Sequence, residues 1–461
     1  MRIVFRPRIN RAVTGTVGFS RSARITRRLR YALIVFVLAG CAGPRLAPTP
    51  NLYLSDAGDP FDEVAPEYQS NLVEILYATD RVPVETGDGS LKYGHGRSPS
   101  VAAGICTVAI GEDLSWPELV NASRAARRSG KLPLQVTNIN EMVRFPDSST
   151  PMVEVGGVVQ EDPEFLAAKA AAHAAGANIL RERLSRVSRK EVYLFIHGYN
   201  NTFEDAAFRM AQLWHFLGRE GVPAIYSWPA GRGGALRGYT HDRESGEFTI
   251  HHLRQFLRAL AACPDIEKLH IIAHSRGTDV LTTALRELHL FYSGAGLETR
   301  QELKLGNLIL AAADLDWEVA NQRLMAERLI RVPERFTIYL SEEDRAIGLA
   351  AWLFDSIRRI GDLTASDLTN AQRAALEQSG IKSQVQLIDV KVRTDFLGHG
   401  YFISNPAVLS DLILILRDNR PPGAENGRPL IRGEGGFWEL YDGYPYSGPH
   451  ATSKAASNDG Q

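Results

Sequence analysis

A serine at the junction of an apolar strand and a helix is the residue of this 461-residue chain best suited to act as a nucleophile. The run LHIIA ends at Ala273, and HSRG, with Ser275 and Gly277, leads into a helical stretch. A sharp turn at such a junction exposes the serine hydroxyl and crowds the positions two before and two after it. Gly277 suits that crowding, and alanine is the next smallest residue. A serine that only caps the helix would share this context, so the other parts of a hydrolase have to be sought.

An acid and a histidine follow in the order that serine hydrolases of this type use. His399 stands between two glycines in a late loop and is predicted to be the general base that takes the proton of Ser275. The run FTIYL is followed by SEEDR, which makes Asp344 the first choice for the acid that orients the histidine. Asp314, in AAADLDW after the preceding strand, is the second choice. The sequence leaves this choice open.

An oxyanion hole is expected after an earlier strand, VYLFI, where the chain reads HGYNN. Gly198 would let the backbone pass close to a substrate. The backbone N–H groups of Tyr199 and Arg276 would then bind the negative oxygen of the tetrahedral intermediate. We expect His197 to be a structural residue that bonds to loop backbone. The Arg276 side chain has two interpretations, a structural ion pair or a contact with an anionic group of the substrate.

The glycine-rich stretch SWPAGRGGALRGYTHDRES separates two of the predicted elements and also has two interpretations. Trp228, Arg237 and Tyr239 could line a pocket for an acyl chain or an alcohol, or form part of a lid. In the simpler interpretation the stretch is a loop whose acids, Asp242 and Glu244, cap the next helix.

Strands alternating with helices must position these residues. From residue 190 onward, short apolar runs rich in β-branched and aromatic residues alternate with helical stretches, which predicts an α/β fold with a mostly parallel central sheet covered by helices on both faces. The predicted strands are 192–196, 224–227, 269–273, 308–312, 336–340 and 385–390. The predicted helices are 204–218, 246–262, 277–290, 317–329, 346–358 and 368–378. Upstream we predict strands at 72–77 and 104–110, a loop at 84–103 and a helix at 163–187.

The N-terminus has the features of an export signal. Residues 1–30 contain nine arginines and no other charged residue, and the apolar run 31–40 is too short to span a bilayer as a helix. The ending LAGC at Cys41 resembles the lipobox of bacterial lipoproteins, which implies cleavage before Cys41 and acylation of that residue. Ala42 after the cysteine resembles an outer-membrane address in a Gram-negative cell. The alternative is an ordinary signal peptide with an incidental cysteine.

The charge balance changes if this segment is removed. The whole chain has 52 basic and 53 acidic residues, whereas the chain from Cys41 has 43 and 53, a net charge of −10. An acidic protein argues against nucleic acid as a partner. Membrane attachment is therefore expected through lipid on Cys41 rather than through basic residues. Cys106 and Cys263 could form a disulfide but do not imply one, and no metal or cofactor motif is present.

Several of these segments together resemble a bacterial family of α/β-hydrolases of unknown function, related to esterases and lipases. They are YATDR, GICTVAIG, IHGYNNTFEDA, IIAHSRGTDVL, AAADLD, LSEEDRAIGLA and LGHGYF, within residues 72–405. The resemblance implies an α/β-hydrolase fold and a Ser–His–Asp mechanism on Ser275, His399 and Asp344. It does not supply a substrate.

The chain is accordingly divided into five parts: a signal peptide at 1–40, a flexible tether at 41–70, an extension packed on the core at 71–190, the catalytic core at 191–420 and a Gly/Pro-rich tail at 421–461. The expected function is that of a lipid-anchored serine hydrolase of the cell envelope that cleaves an ester or related acyl bond. An acyltransferase with the same triad and a non-catalytic envelope protein that binds lipid or assembles with a partner are the alternatives. Protein partners are not predicted.

Overall fold

A computed structural model describes residues 43–54, 60–341, 360–364, 366, 368–377, 384–392 and 400–446. The described residues from Arg45 onward form one compact unit, and of residues 1–44 only 43 and 44 are described. The predicted helix at 346–358 lies outside the described residues.

The strands confirm most of the sequence prediction. They are β1 Leu72–Glu85, β2 Leu91–Ile110, β3 Leu134–Arg144, β4 Met152–Val155, β5 Val158–Glu161, β6 Glu191–Ile196, β7 Val222–Ser227, β8 Lys268–His274, β9 Leu305–Ala311, β10 Arg335–Leu340, β11 Val385–Lys391, β12 Ile431–Arg432 and β13 Trp438–Tyr441. Each strand predicted from residue 190 onward matches one of these, with ends shifted by at most three residues.

The helices flank the sheet. They are α1 Trp116–Arg124, α2 Pro163–Ser185, α3 Phe203–Phe216, α4 Ala235–Ala261, α5 Gly277–Gly294, α6 Thr299–Leu303, α7 Trp317–Ala320, α8 Asn370–Glu377, α9 Tyr401–Ser404 and α10 Pro406–Leu416. A π-helical turn, Asn321–Ala326, continues α7. Helix α10 was not predicted. Among the described residues, no helix has both the length and the apolar character needed to cross a membrane.

One large sheet organises the described part of the chain. Its eleven strands run in the order β12-β13-β11-β10-β9-β8-β6-β7-β1-β2-β3, while β4 and β5 form a separate hairpin. The eight strands from β13 to β1 are mutually parallel. Strands β2 and β12 are antiparallel to their neighbours. The carboxyl ends of the parallel strands therefore meet at one edge of the sheet.

Both faces of this sheet are buried, which explains the unbroken apolar runs in its strands. Side chains of successive residues point to opposite faces. Phe195 and Ile272 thus lie in one core with α3 and α10. Their chain neighbours Leu194 and Ile271 lie in the other core, with α2, α4 and α5. The sheet is the middle layer of a three-layer α/β fold.

The N-terminal strands extend the same sheet, which corrects two predictions. Strand β1 pairs with β7 in parallel, so the 71–190 region continues the central sheet through β1, β2 and β3 and does not simply pack upon the core. The loop predicted at 84–103 is wrong, because most of it belongs to β2. Glycine suggested a loop there. In fact the strands approach closely: a Cβ added to Gly94 would lie 3.1 Å from Cγ2 of Val84 on β1, and one added to Gly96 would lie 3.2 Å from Cγ2 of Val82.

The segment predicted to be a flexible tether is packed wherever it is described between residues 45 and 70. Leu46 donates its N–H to the Leu132 carbonyl at 2.8 Å, and Leu52 donates its N–H to the Ser410 hydroxyl at 3.0 Å. Phe61 is buried at the start of a short 3₁₀ turn. Buried apolar side chains outweigh the Pro- and Gly-rich composition that suggested a tether, so that prediction is corrected for these residues.

The C-terminal segment is also part of the fold up to residue 446. Strand β13 joins the sheet beside β11, so the region predicted to be a Gly/Pro-rich tail contains structure that the core uses. Arg428, in this segment, forms a bidentate ion pair with Asp411 of α10 at 2.8 and 2.7 Å, and both side chains are fully buried. Tyr339 and Tyr444 donate their hydroxyls to the same carboxylate.

This ion pair predicts a large effect of one substitution outside the predicted catalytic core. Replacing Arg428 with methionine leaves the Asp411 carboxylate buried without its cation, so the free energy of unfolding should fall by about 3–5 kcal/mol. Chemical denaturation followed by circular dichroism measures the change. Arg432→Met is the matched control, because that side chain is exposed and its guanidinium lies over the Trp438 ring. Equal stability of both variants would mean that the segment is a dispensable tail.

Candidate active site

Ser275 occupies a strained turn between β8 and α5. Its φ of +52° lies in the left-handed region, which is unfavourable for any residue with a side chain and marks a position held by its surroundings. The Ser275 N–H donates to the Ala311 carbonyl at 3.0 Å, and its own carbonyl accepts from the Thr278 hydroxyl at 2.7 Å. These bonds to β9 and to the first turn of α5 fix the serine at the carboxyl edge of the sheet.

The turn is possible because Gly277 lies against the backbone at the end of β6. A Cβ added to Gly277 would lie 2.3 Å from the His197 carbonyl oxygen and 2.8 Å from that of Ile196. Both distances are shorter than real contacts allow. The sequence reasoning correctly required a small residue here, but the crowding partner is the neighbouring strand and not Ala273, which pairs with Ile196 inside the sheet.

The loop after β6 passes directly over the serine side chain. A Cβ added to Gly198 would lie 2.6 Å from Cβ of Ser275 and 3.2 Å from its Oγ. Gly198 is therefore needed for a close approach of two backbones, as predicted. Tyr199 follows at once, and its ring lies 5.7 Å from that of Tyr239. The structure thus brings the predicted nucleophile and the predicted oxyanion loop together.

These two loops meet at the topological switch point of the sheet, where the strands that follow β6 in the chain are added on opposite sides of it. Strand β6 lies between β7 and β8. The helix that follows β6, α3, packs on one face of the sheet, whereas the helix that follows β8, α5, packs on the other. The two connections therefore diverge at the strand ends, and such divergence points are where ligands bind in open α/β sheets.

His197 is a structural residue, as expected. It is fully buried and its ring stacks on the Trp228 ring at 5.1 Å, while the Trp228 indole N–H donates to the His197 carbonyl at 2.7 Å. Burial, and next the Arg81 guanidinium, hold the pKa of His197 well below its ordinary value. The ring is therefore neutral and suits no proton transfer at neutral pH. Trp228 is equally buried, so it lines no pocket for substrate.

Arg81 supports the loops of the candidate site, a role that the sequence analysis did not predict. Its guanidinium is buried at the end of β1, and all five of its N–H groups donate hydrogen bonds. Two reach the loop after β6, at His197 Nε2 (3.2 Å) and the Asn201 carbonyl (2.9 Å). The other three reach the Ser227 hydroxyl (2.9 Å) and the carbonyls of Ala230 (2.7 Å) and Gly94 (3.0 Å).

None of these five acceptors is a carboxylate, so the Arg81 cation is held by neutral dipoles. Burial lowers the pKa of Arg81 to about 10, which still leaves it charged at neutral pH. The signal in the sequence was the conspicuous YATDR after a predicted strand, but nothing local indicated which loops the side chain would join.

Asp242 has a different role from the one predicted. Helix α4 begins at Ala235, so Asp242 and Glu244 lie inside the helix and do not cap it. The buried Asp242 carboxylate accepts the Asn200 N–H at 2.8 Å and the Gly231 N–H at 3.3 Å. It thus fixes the Asn200 N–H of the oxyanion loop, next to the Asn201 carbonyl that Arg81 binds, while Glu244 pairs with Arg97 at 3.3 Å.

The Arg276 side chain forms an ion pair, the first of its two interpretations. Its guanidinium lies 2.8 Å from the Asp279 carboxylate one turn along α5. Burial by itself lowers the pKa of Arg276, but the carboxylates of Asp279 and Asp314 outweigh it, and the net pKa is raised. The Arg276 side chain therefore has a structural role. Its backbone, directly after Ser275, is the part of the residue that lies at the candidate site.

Asp314, the second choice for the acid, lies close to the serine turn. It is buried, and its N–H donates to the Ser275 carbonyl at 3.4 Å. Two residues earlier, Ala312 also has a positive φ, of +48°, and donates its N–H to the Tyr401 hydroxyl at 3.2 Å. The Tyr401 hydroxyl in turn donates to the Tyr339 carbonyl at 3.0 Å.

The remaining predicted residues, Asp344, His399 and Cys41, lie outside the described residues. The structure does describe the chain that follows His399. Besides Tyr401, it includes Phe402, whose ring stacks on that of His274 at 4.4 Å. The start of α9 is therefore anchored beside the residue that precedes Ser275. Among the described residues, no group of three or more His, Cys, Asp or Glu side chains could hold a metal ion.

A comparison with known protein families gives one match. The model described as "Alpha/beta hydrolase of unknown function (DUF900)" matches residues 172–417, which is more than half of the chain. The matched region runs from within α2 to just beyond α10 and includes β6 to β11. No curated protein and no solved structure gives a significant match.

The Arg81 contacts predict that this side chain supports the oxyanion loop. Arg81→Met would leave five acceptors without their donor, and the free energy of unfolding should fall by about 3 kcal/mol or more. Thermal and urea unfolding measure the loss. Arg186→Met is the control, because that exposed arginine, directly after α2, pairs with the exposed Glu182 and should change stability by less than about 0.5 kcal/mol. A loss no larger than the control's would contradict the assignment.

Proposed function

Because the chain belongs to the family of alpha/beta hydrolases of unknown function, we propose that it is a serine hydrolase that cleaves a carboxylic ester or a related acyl bond. The observation that carries the proposal is the backbone of Ser275. Its left-handed φ between β8 and α5, with the Gly198 loop against its Oγ, is the arrangement of a nucleophile elbow. A serine that only capped a helix would adopt ordinary extended geometry.

His399 is proposed as the general base. It stands two residues before Tyr401, whose hydroxyl bonds to the ends of β9 and β10 at the same edge as Ser275. The chain order, serine then histidine in a late loop, agrees with this assignment. His274 is a poorer candidate, because its ring is buried and stacked on Phe402.

Asp344 is proposed as the acid that orients His399, with Asp314 as the alternative. Asp344 follows β10, and Asp314 follows β9, which lies next to β8 in the sheet. Asp314 already interacts electrostatically with the Arg276 guanidinium. A carboxylate engaged with a cation of this kind is less suited to stabilise an imidazolium, which favours Asp344.

The oxyanion hole is proposed to consist of the Tyr199 and Arg276 N–H groups. Both follow directly on residues that touch each other, Gly198 and Ser275. Within the described part of the chain, no hydrogen bond uses either N–H group. The Arg276 N–H also lies at the N-terminus of the 18-residue helix α5, where the helix dipole favours negative charge.

The proposed reaction follows from these roles. Ser275 Oγ attacks the acyl carbonyl carbon while His399 takes its proton, and the two N–H groups stabilise the oxyanion that forms. The intermediate collapses, the leaving alcohol takes the proton from His399, and an acyl-serine remains. Water, deprotonated by the same histidine, then attacks the acyl-serine and releases a carboxylic acid together with free Ser275.

The proposal predicts that activity depends on one hydroxyl. Ser275→Ala should lose labelling by a fluorophosphonate probe and lower the rate of p-nitrophenyl butyrate hydrolysis by on the order of 10³-fold or more. Gel fluorescence and absorbance measure the two. Ser293→Ala, an exposed position near the other end of the same helix, should behave as wild type. If the wild-type protein shows neither fluorophosphonate labelling nor hydrolysis of short and long acyl esters between pH 6 and 9, the hydrolase proposal is wrong.

We also propose that the mature protein is anchored in the cell envelope through lipid on Cys41, on the periplasmic side of the outer membrane in a Gram-negative cell. The basic and apolar segments before LAGC motivate this proposal. Two or more acyl chains hold a protein stably in a membrane.

The anchor can be tested separately from the catalytic site. Cys41→Ser should move the protein from the membrane pellet to the soluble fraction and abolish incorporation of labelled palmitate. Cys106→Ser is the control for general effects of losing a thiol, because that cysteine is buried and free. Unchanged membrane association of the Cys41 variant would contradict the lipid anchor.

A further inference from the structure

We propose that a cleft between α2, α4 and the end of β3 binds an amphipathic carboxylate, a molecule with one carboxylate on an apolar chain. The cleft has a volume of about 60 Å³ and an open mouth, so it would take the carboxylate end of such a molecule while the apolar chain lies along the mouth. Its lining contains none of the residues assigned to the candidate active site. The proposal therefore does not depend on the hydrolase activity.

The lining combines apolar surface with basic side chains. Phe145 and Phe256 supply aromatic surface, and Val101 adds an aliphatic wall. Lys169 reaches the cleft from α2, and His251 and His252 reach it from α4. An apolar body with a single anionic end matches this combination, whereas a sugar or a multiply charged phosphate would leave the apolar walls unused.

His252 is the polar group with the most specific geometry. Its side chain is 5 % exposed, and its Nδ1 lies 2.9 Å from the Asp80 carboxylate, which is completely buried. Thr249 donates its hydroxyl to the same carboxylate oxygen at 2.7 Å. Since Nδ1–H donates to Asp80, Nε2 is the ring atom left for a ligand. Nε2 has no hydrogen-bond partner among the described residues.

An unpaired buried polar atom is costly, by about 1–3 kcal/mol. A ligand that bonds to Nε2 therefore recovers this cost. The protonated ring would donate its Nε2–H to a carboxylate oxygen, and such charge-assisted bonds are about twice as strong as neutral ones. With the ring protonated, the Asp80–His252 pair thus provides a fixed donor in a largely apolar site.

The surroundings add positive charge. Burial, and next Lys169 and Arg258, lower the pKa of His173 at the cleft wall. Burial, and next Arg254, His252 and Lys169, lower the pKa of His251. An anion in the cleft would offset both the burial and the repulsion by these Lys and Arg cations that disfavour protonation of the two histidines.

The acids nearby do not cancel this charge. Asp80 is engaged by His252, and Glu287 pairs with Arg254 at 2.9 Å. Asp147 lines the rim and is exposed. Lys169 forms no ion pair with an acid in the described part of the chain, so its charge is available to an anionic ligand.

Sodium decanoate is the probe, measured by isothermal titration calorimetry on the full mature chain at pH 6. We expect one decanoate per chain, with an affinity that Lys169→Met lowers by about tenfold or more. Lys169 is half-buried and has no ion-pair partner among the described residues, so Lys169→Met should fold even if a His252→Gln variant does not. Lys131→Met, an exposed lysine outside the cleft, is the matched control and should bind as wild type.

The active site is excluded by repeating the titration after fluorophosphonate labelling, which should leave decanoate binding unchanged. Decanol should bind more weakly than decanoate, because it lacks the charge. Binding that labelling abolishes, or that Lys169→Met and Lys131→Met affect equally, would overturn the proposal. Binding of decanol as tight as decanoate would also overturn it, since the cleft would then be apolar only. If the wild-type protein does not react with the fluorophosphonate, that result contradicts the hydrolase proposal and leaves the decanoate site unaffected.

The pH dependence has a defined sign. The pKa values of His173 and His251 are lowered in the free protein, and a bound carboxylate would raise them, so protonation and binding favour each other. Affinity should therefore increase as the pH falls from 8 to 6, by up to about tenfold for each imidazole whose pKa rises by one unit. An affinity that stays constant or increases toward pH 8 would contradict the site.

Discussion

The close approach of two backbone segments is the constraint on which the candidate site depends. The turn at Ser275 and the loop after β6 come so near each other that neither Gly198 nor Gly277 leaves room for a Cβ. This contact fixes the serine in a left-handed conformation and holds the loop after β6 over its hydroxyl. Parallel strands make the contact possible, because β6 and β8 are neighbours whose carboxyl ends meet at one edge while their helices leave on opposite faces.

Such a contact strains the backbone, so the surrounding side chains have to hold it. The oxyanion loop is fixed at its Asn200 N–H by Asp242 and at the Asn201 carbonyl by Arg81. His197 completes the support as a neutral ring between Trp228 and Arg81. These are buried polar groups with satisfied hydrogen bonds, and they contribute rigidity that apolar packing alone would not direct toward one loop conformation.

The sequence predicted the parts of this arrangement that are local. Apolar runs identified the strands, and Gly277 after Ser275 together with Gly198 in the loop after β6 identified where backbones meet. The wrong predictions have a common cause: they relied on amino-acid composition at positions where tertiary contacts determine the local structure. Glycines in β2 allow strands to approach and do not make a loop. Helix α10 is apolar except for Ser410 and Asp411, so it does not show the pattern of an amphipathic helix. Its start nevertheless has a capping residue, Asn405, and a first-turn proline, Pro406.

Three buried arginines explain why the segments outside the predicted core were misjudged. Arg219 donates to the carbonyls of Tyr68 and Leu72 and so joins the N-terminal segment to the end of α3, while burial lowers its pKa to about 9. Arg81 joins β1 and β2 to the site loops, and Arg428 joins the C-terminal segment to α10. A charge count treats every arginine as a solvated cation. Here each one links segments far apart in the chain, so the residues that look most like surface in the sequence hold the periphery to the core.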